Sequence, residues 1–178
     1  MMQTRVRAPL MVAAAMVLSA ASLVHAQTNF AGSWVLDWSQ SQLSRHDREG
    51  AAAPPGSAPS QKPEVRLTVE QDGNVVKATR TVKHGNTERS FSETYTVDGP
   101  EQTFTGPRNG ALVTKAAWDG ARLVVNSNKT ITDRSSDEIQ FSRASVWSLS
   151  PDGRTLTIQT TFQGPRGERI AKRVYQRA

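Results

Sequence analysis

The chain has 178 residues, 22 Lys and Arg against 16 Asp and Glu, a formal charge of +6 and no cysteine. That length suits one domain, and without cysteine its stability rests on a hydrophobic core, not on disulfides. The basic excess is modest and scattered, with no aromatic-interleaved basic stripe and no helical recognition motif, which argues against nucleic acid as a partner.

Arg5 and Arg7 precede an apolar stretch over 10–23, and Val24-His25-Ala26 offers small residues where a signal peptidase reads. Residues 1–26 therefore read as a signal peptide cleaved after Ala26, which predicts export to the periplasm or the medium. The apolar stretch is shorter than the roughly 18 residues of a membrane span, so no stable membrane insertion is expected after cleavage. No Cys follows it to carry a lipid anchor, and Arg5-Val6-Arg7 is not a twin-arginine pair. Cleavage removes two of the 22 basic residues and no acid, so 178 residues at +6 become 152 at +4. Residues 27–178 read as a single domain.

A first strand runs over 32–37. Residues 39–63 then break the pattern: polar at first, later rich in Ala, Pro and Ser, with Pro54, Pro55, Pro59 and Pro63. Such a stretch cannot pair as a central strand, and it reads as a flexible insertion, either a lid or a disordered connection. Its start, 40–48, has room for one or two helical turns. Beyond it, apolar and polar residues alternate with period two. Val65, Leu67 and Val69 lead to Asp72-Gly73; Val76, Ala78 and Val82 lead to Gly85-Asn86; Phe91, Tyr95 and Val97 lead to Asp98-Gly99. A short run around Phe104 stops at 107–110, 112–118 ends at Asp119-Gly120, and 123–131 ends at 133–136. The runs 139–149 and 156–162 end at Pro151-Asp152-Gly153 and at 164–167, and 170–176 closes the chain. The turns are short enough to force neighbours to pair, and closure removes the two edges an open meander would leave. The sequence predicts an all-β fold, an up-and-down antiparallel barrel of about ten strands.

Phe30-Ala31-Gly32-Ser33-Trp34 at the start and Arg173-Val174-Tyr175-Gln176-Arg177-Ala178 at the end carry a family resemblance. Phe-x-Gly-x-Trp resembles the entry of calycins, the lipocalins and fatty-acid-binding proteins, in which the Gly bends the strand and the Trp plugs the barrel floor. The resemblance implies these structural roles for Gly32 and Trp34. Arg-x-Tyr resembles the last strand of the fatty-acid-binding branch, where the pair holds a ligand carboxylate, and that branch places a second such arginine where Arg143 stands. With Trp118-Asp119-Gly120 and Trp147-Ser-Leu-Ser-Pro-Asp-Gly153, the overall cadence is most similar to secreted bacterial lipocalin-like proteins of unassigned role.

Arg173 and Tyr175 lie two residues apart, so on a strand both side chains share a face. Facing inward, they form a ligand-binding site for a carboxylate; alternatively Arg173 stacks on Trp34 and closes the floor. Arg143 is in phase with Phe141, Ser145 and Trp147. Trp34, Trp118 and Trp147 read as core, and Trp38 as a residue of the mouth. Arg89, Glu93 and Tyr95 share a face with Phe91, and an Arg–Glu pair on a solvated face accounts for them. His46 lies in the insertion and His84 in a turn, so neither is anchored as a general base, and a metal would lack further ligands. No nucleophile, zinc or phosphate-loop motif occurs, so no catalytic residue, metal or cofactor is expected. The sequence thus predicts an exported binding protein for a small, partly apolar ligand such as an acyl carboxylate. The alternative is a non-catalytic envelope or protein-interaction module whose barrel is filled by its own side chains. The oligomeric state leaves no mark in the sequence.

Overall fold

Among the described residues ten strands follow one another: β1 (Gly32–Leu36), β2 (Glu64–Asp72), β3 (Val75–His84), β4 (Thr87–Thr96), β5 (Gln102–Thr105), β6 (Ala111–Asp119), β7 (Arg122–Thr132), β8 (Glu138–Leu149), β9 (Thr155–Gly164) and β10 (Gly167–Arg177). The structure is a computed structural model that describes residues 27–43, 62–105, 111–132 and 138–178. Residues 1–26, read from the sequence as a signal peptide, the middle of the 39–63 insertion and the turns expected at 107–110 and 133–136 lie outside the described residues.

The strands form one sheet in the order β4-β3-β2-β1-β10-β9-β8-β7-β6-β5, every named pair antiparallel. β1 and β10 pair with Trp34 opposite Arg177 and Leu36 opposite Tyr175, which joins the two ends of the domain. The remaining edges, β4 and β5, come round to face each other. The barrel is drawn together at the floor, where Val97, just after β4, bridges Ala116 of β6 and the Asp98 amide donates to the Ala116 carbonyl at 2.9 Å. The Asp98 carboxylate also accepts from the Trp118 amide at 3.1 Å. At this corner Asp98, not Gly99, takes the left-handed φ of 55°, a conformation that Asp tolerates better than most side chains do.

Alternation explains which way each strand faces. In β2, Val65, Leu67 and Val69 are buried while Arg66, Thr68 and Glu70 are exposed, and β3 continues with Val76, Ala78 and Val82 inside. The aromatic part of the core gathers at one end of the barrel, while Val65 and Val82 extend the core toward the other. Phe30 stacks on Trp118 with centroids 5.9 Å apart, meets Trp147 edge-on at 6.0 Å, and Trp147 meets Tyr95 edge-on at 6.2 Å. Trp34 is fully buried and its indole N–H donates to the Phe30 carbonyl at 3.0 Å. Trp34 and Trp147 are core residues, as expected; Trp118 is half-buried against them.

The floor carries one correction. The cation over Trp34 is Arg177, 4.3 Å from the ring centroid, and not Arg173. Arg177 also donates to the carbonyls of Ala31 and Gly153, at 3.2 and 3.1 Å. Gly32 has a φ of 140°, and a Cβ there would come within 2.7 Å of the Arg177 guanidinium. Glycine at 32 is thus favoured both by its backbone and by the arginine beside it.

The described start of the insertion is not helical. Ser39 and Gln40 turn onto the Asp37 carboxylate, and Gln42 exchanges two backbone hydrogen bonds of 2.8 Å with Lys172 of β10. Trp38, at the mouth end of β1, is half-buried and donates to the Pro63 carbonyl at 3.0 Å, which ties the two ends of the insertion together.

Candidate functional site: a cationic cavity in the barrel

Strand parity decides what the interior holds. On β10, Arg173 and Tyr175 follow the buried Ala171 on the inward face. On β8, Arg143 shares that face with Ser145 and Trp147, and on β4 Phe91 and Glu93 share it with Tyr95. On β3, Arg80 falls between the buried Ala78 and Val82. Register then sets the levels. Arg173 lies opposite Ile158, which lies opposite Trp147, so these three share one level just above the aromatic floor. Arg143 lies opposite Phe162, and Arg80 opposite Phe91, nearer the mouth.

These side chains line an open cavity of about 550 Å³. Leu67, Ile158, Phe91, Phe162 and Trp147 supply its apolar wall, and Arg80, Glu93, Arg143, Arg173 and Tyr175 its polar one. The structure therefore brings together all three ligand-binding candidates, Arg143, Arg173 and Tyr175. Gly32 and Trp34 lie in the floor beneath.

Two polar groupings divide the cavity wall. Glu93 and Arg143 meet across the barrel at 2.8 Å, and the Tyr95 hydroxyl donates to the other Glu93 oxygen at 2.6 Å. Burial alone raises the Glu93 carboxyl, but the Arg143 charge, the Tyr95 hydrogen bond and the more distant Arg80 together hold it below its ordinary value. Burial works against the Arg143 charge, and Glu93 and Tyr95 outweigh it, so the guanidinium is held charged more firmly than usual. The Tyr95 hydroxyl is pushed far up, first by burial and then by the Glu93 charge. The expected Arg–Glu pairing exists, but not on a solvated outer face. Glu93 faces the cavity and its partner is on β8; Arg89 is exposed.

The second grouping is Arg80, Arg173 and Tyr175. Burial lowers the pKa of Arg80, and the positive charge of Arg173 lowers it further, while its guanidinium rests 5.4 Å from the Phe91 centroid. The Tyr175 hydroxyl is raised by burial, against the pull of Arg173 and Arg80. Three guanidinium groups and one carboxylate among the described lining residues make the interior formally cationic. Such a wall attracts and orients an anion.

Arg80 escaped sequence reasoning, although a signal was present: it occupies the inward phase of Val76, Ala78 and Val82, where an apolar residue is the default. Arg177 as the floor cation needed the β1–β10 register, which strand parity alone does not supply. Among the described residues, no group of three or more His, Cys, Asp or Glu side chains is placed to hold a metal ion.

No protein-family model and no curated protein matches the sequence. Among solved structures, the chain is similar to secretory abundant heat soluble protein 4 from Ramazzottius varieornatus, with TM-score 0.50 and 16% identity over 86% of this chain and 99% of that one. The zebrafish ileal bile acid-binding protein complexed with cholic acid aligns at TM-score 0.48 and 15% identity over 84% of this chain and 98% of that one. The REP1-NXSQ fatty acid transporter aligns at TM-score 0.48 and 14% identity over 84% of this chain and 96% of that one. Likeness at these identities concerns the fold alone, and the fold is calycin-like: a nearly closed antiparallel barrel of ten strands.

Proposed function

We propose that this chain is an exported binding protein that holds a small, partly apolar anion, such as an acyl carboxylate, inside its barrel. The supporting observation is the cavity of about 550 Å³ whose apolar wall faces Arg80, Arg143 and Arg173. Pockets for small ligands begin near 300 Å³, so this interior has room that a barrel filled by its own side chains would lack. In this reading Arg173 and Tyr175 receive the anionic head, Arg80 adds a second positive charge, and Arg143 is held in place by Glu93. Tyrosines raised by burial and arginines do not exchange protons near neutral pH, so the groups suit binding and orientation, not acid–base catalysis. Export rests on residues 1–26, and the mass of protein secreted by its own host would show whether the mature chain starts at Gln27.

Titration with 11-(dansylamino)undecanoate tests the binding reading. Saturable fluorescence enhancement is expected for wild type, weakened by about 1.5–3 kcal/mol in Arg173→Gln, the worth of a hydrogen bond to a charged group. Equal binding of the uncharged methyl ester would remove the anion site from the reading, and no binding of either would favour the filled barrel.

A further inference from the structure

A second cavity, of about 540 Å³, opens on the mouth side of the first. Ile139, Phe141, Phe162 and Pro165 line it, with Arg166 in the turn between β9 and β10 and Arg169 near the start of β10. Phe162 is the one described residue common to both linings. Its ring stands at the boundary for identifiable reasons. Phe162 and Arg169 are direct register partners on β9 and β10, and the Arg169 guanidinium lies 5.6 Å from the Phe162 centroid. On the other flank, Phe141 lies so close over Gly164 that a Cβ there would come within 2.9 Å of its ring.

The two cavities differ in chemistry. The inner one holds Arg80, Arg143, Arg173, Glu93 and the tyrosines; the outer one has Ile139, Phe141, Phe162 and Pro165 beside Arg166 and Arg169, and Phe141 is left 39% exposed. They succeed each other along the same strands. From the Tyr175–Leu156 pair to the Arg169–Phe162 pair is six residues of β10, a rise of about 20 Å at about 3.3 Å per residue.

We propose that the outer cavity is a tail subsite for an amphipathic anion, and that the Phe162 ring is the partition that sets how long a tail the barrel accepts. This inference rests on the inner cavity being the anion site. With the head at Arg173 and Tyr175, an alkyl tail rises along β9 and β10 and meets Phe162. Short tails stop beneath the ring, while longer ones must displace it from Arg169 to reach Ile139 and Phe141. Each methylene moved from water onto apolar lining raises affinity about fourfold, so a barrier at Phe162 appears as a break in the dependence of affinity on chain length.

Octanoate, dodecanoate and hexadecanoate, each displacing 11-(dansylamino)undecanoate, form the test on the full mature chain. In Phe162→Ala the ratio of hexadecanoate to octanoate affinity is expected to rise at least tenfold over wild type. A smaller rise overturns the partition. Should Phe162→Ala not fold, Phe162→Leu replaces it, with a rise of at least threefold expected and a smaller one overturning the inference. Failure of wild type to bind octanoate would overturn the anion site itself, whereas binding with an unchanged ratio would overturn only the tail subsite.

Discussion

Arg177 covers Trp34: the two are register partners on β10 and β1, and the guanidinium carbon lies 4.3 Å from the indole centroid. The same arginine ties Ala31 and Gly153 through their carbonyls. The last strand thus locks the floor with one arginine while presenting another, Arg173, to the cavity above. In the proposed reading, stability and binding reside on separate positions four residues apart.

Arg177→Gln is expected to lower unfolding free energy by about 1–2 kcal/mol, through loss of a cation–π contact and weakened hydrogen bonds. Urea midpoints measure it. Affinity for the dansyl fatty acid should be unchanged; a loss of affinity without a loss of stability would contradict the division of labour.

Gly32→Ala is expected to cost about 1–3 kcal/mol, because a side chain is placed at a φ of 140°. Part of that cost is the collision with the Arg177 guanidinium. In the double variant Gly32→Ala/Arg177→Ala the losses should therefore sum to less than the two single values. Strict additivity would mean that the backbone alone sets the requirement for Gly32.

Strands were legible in the sequence because turns and alternation are local. Val65, Leu67 and Val69 declare a buried face, and Gly73, Gly85 and Gly120 take the positive φ that their turns need. Interior chemistry was legible where two residues share a strand, as for Arg173 and Tyr175. It was lost where partners come from distant strands. Glu93 finds Arg143 across the barrel, a relation set by closure and not by spacing. Closure itself was hidden in Asp98, which reads as an ordinary Asp-Gly turn until its amide and carboxylate are seen to join β6.

Arg80→Met is expected to raise the urea midpoint and to weaken anion binding at least tenfold. The guanidinium loses hydration in the cavity wall and feels the positive charges of Arg173 and Arg143, while methionine fills the same space without a charge to desolvate. A variant that is less stable and binds anions unchanged would mean that Arg80 acts as packing.

Glu93 supplies a pH dependence with a definite sign. Its folded pKa lies below its ordinary value of 4.5, so its ionised form adds stability above that pH and loses it as pH falls through the depressed value. At pH 7, Glu93→Gln should cost about 1 kcal/mol, at the upper end for a partly exposed ion pair. The gap between wild type and variant should narrow as pH falls below about 4.5. Urea unfolding at several pH values measures the gap, and one that stays constant down to pH 2 would remove the Arg143 pairing from the explanation.

Whether the barrel carries a ligand in its natural setting is most directly read by native mass spectrometry of the protein purified from its own host under gentle conditions. The cationic cavity predicts a complex with an amphipathic acid, released as an anion on activation and absent from Arg173→Gln/Arg80→Met prepared in parallel. A bare polypeptide mass in repeated preparations, together with no uptake of added hexadecanoate, would contradict the binding reading and leave a barrel whose role lies on its surface.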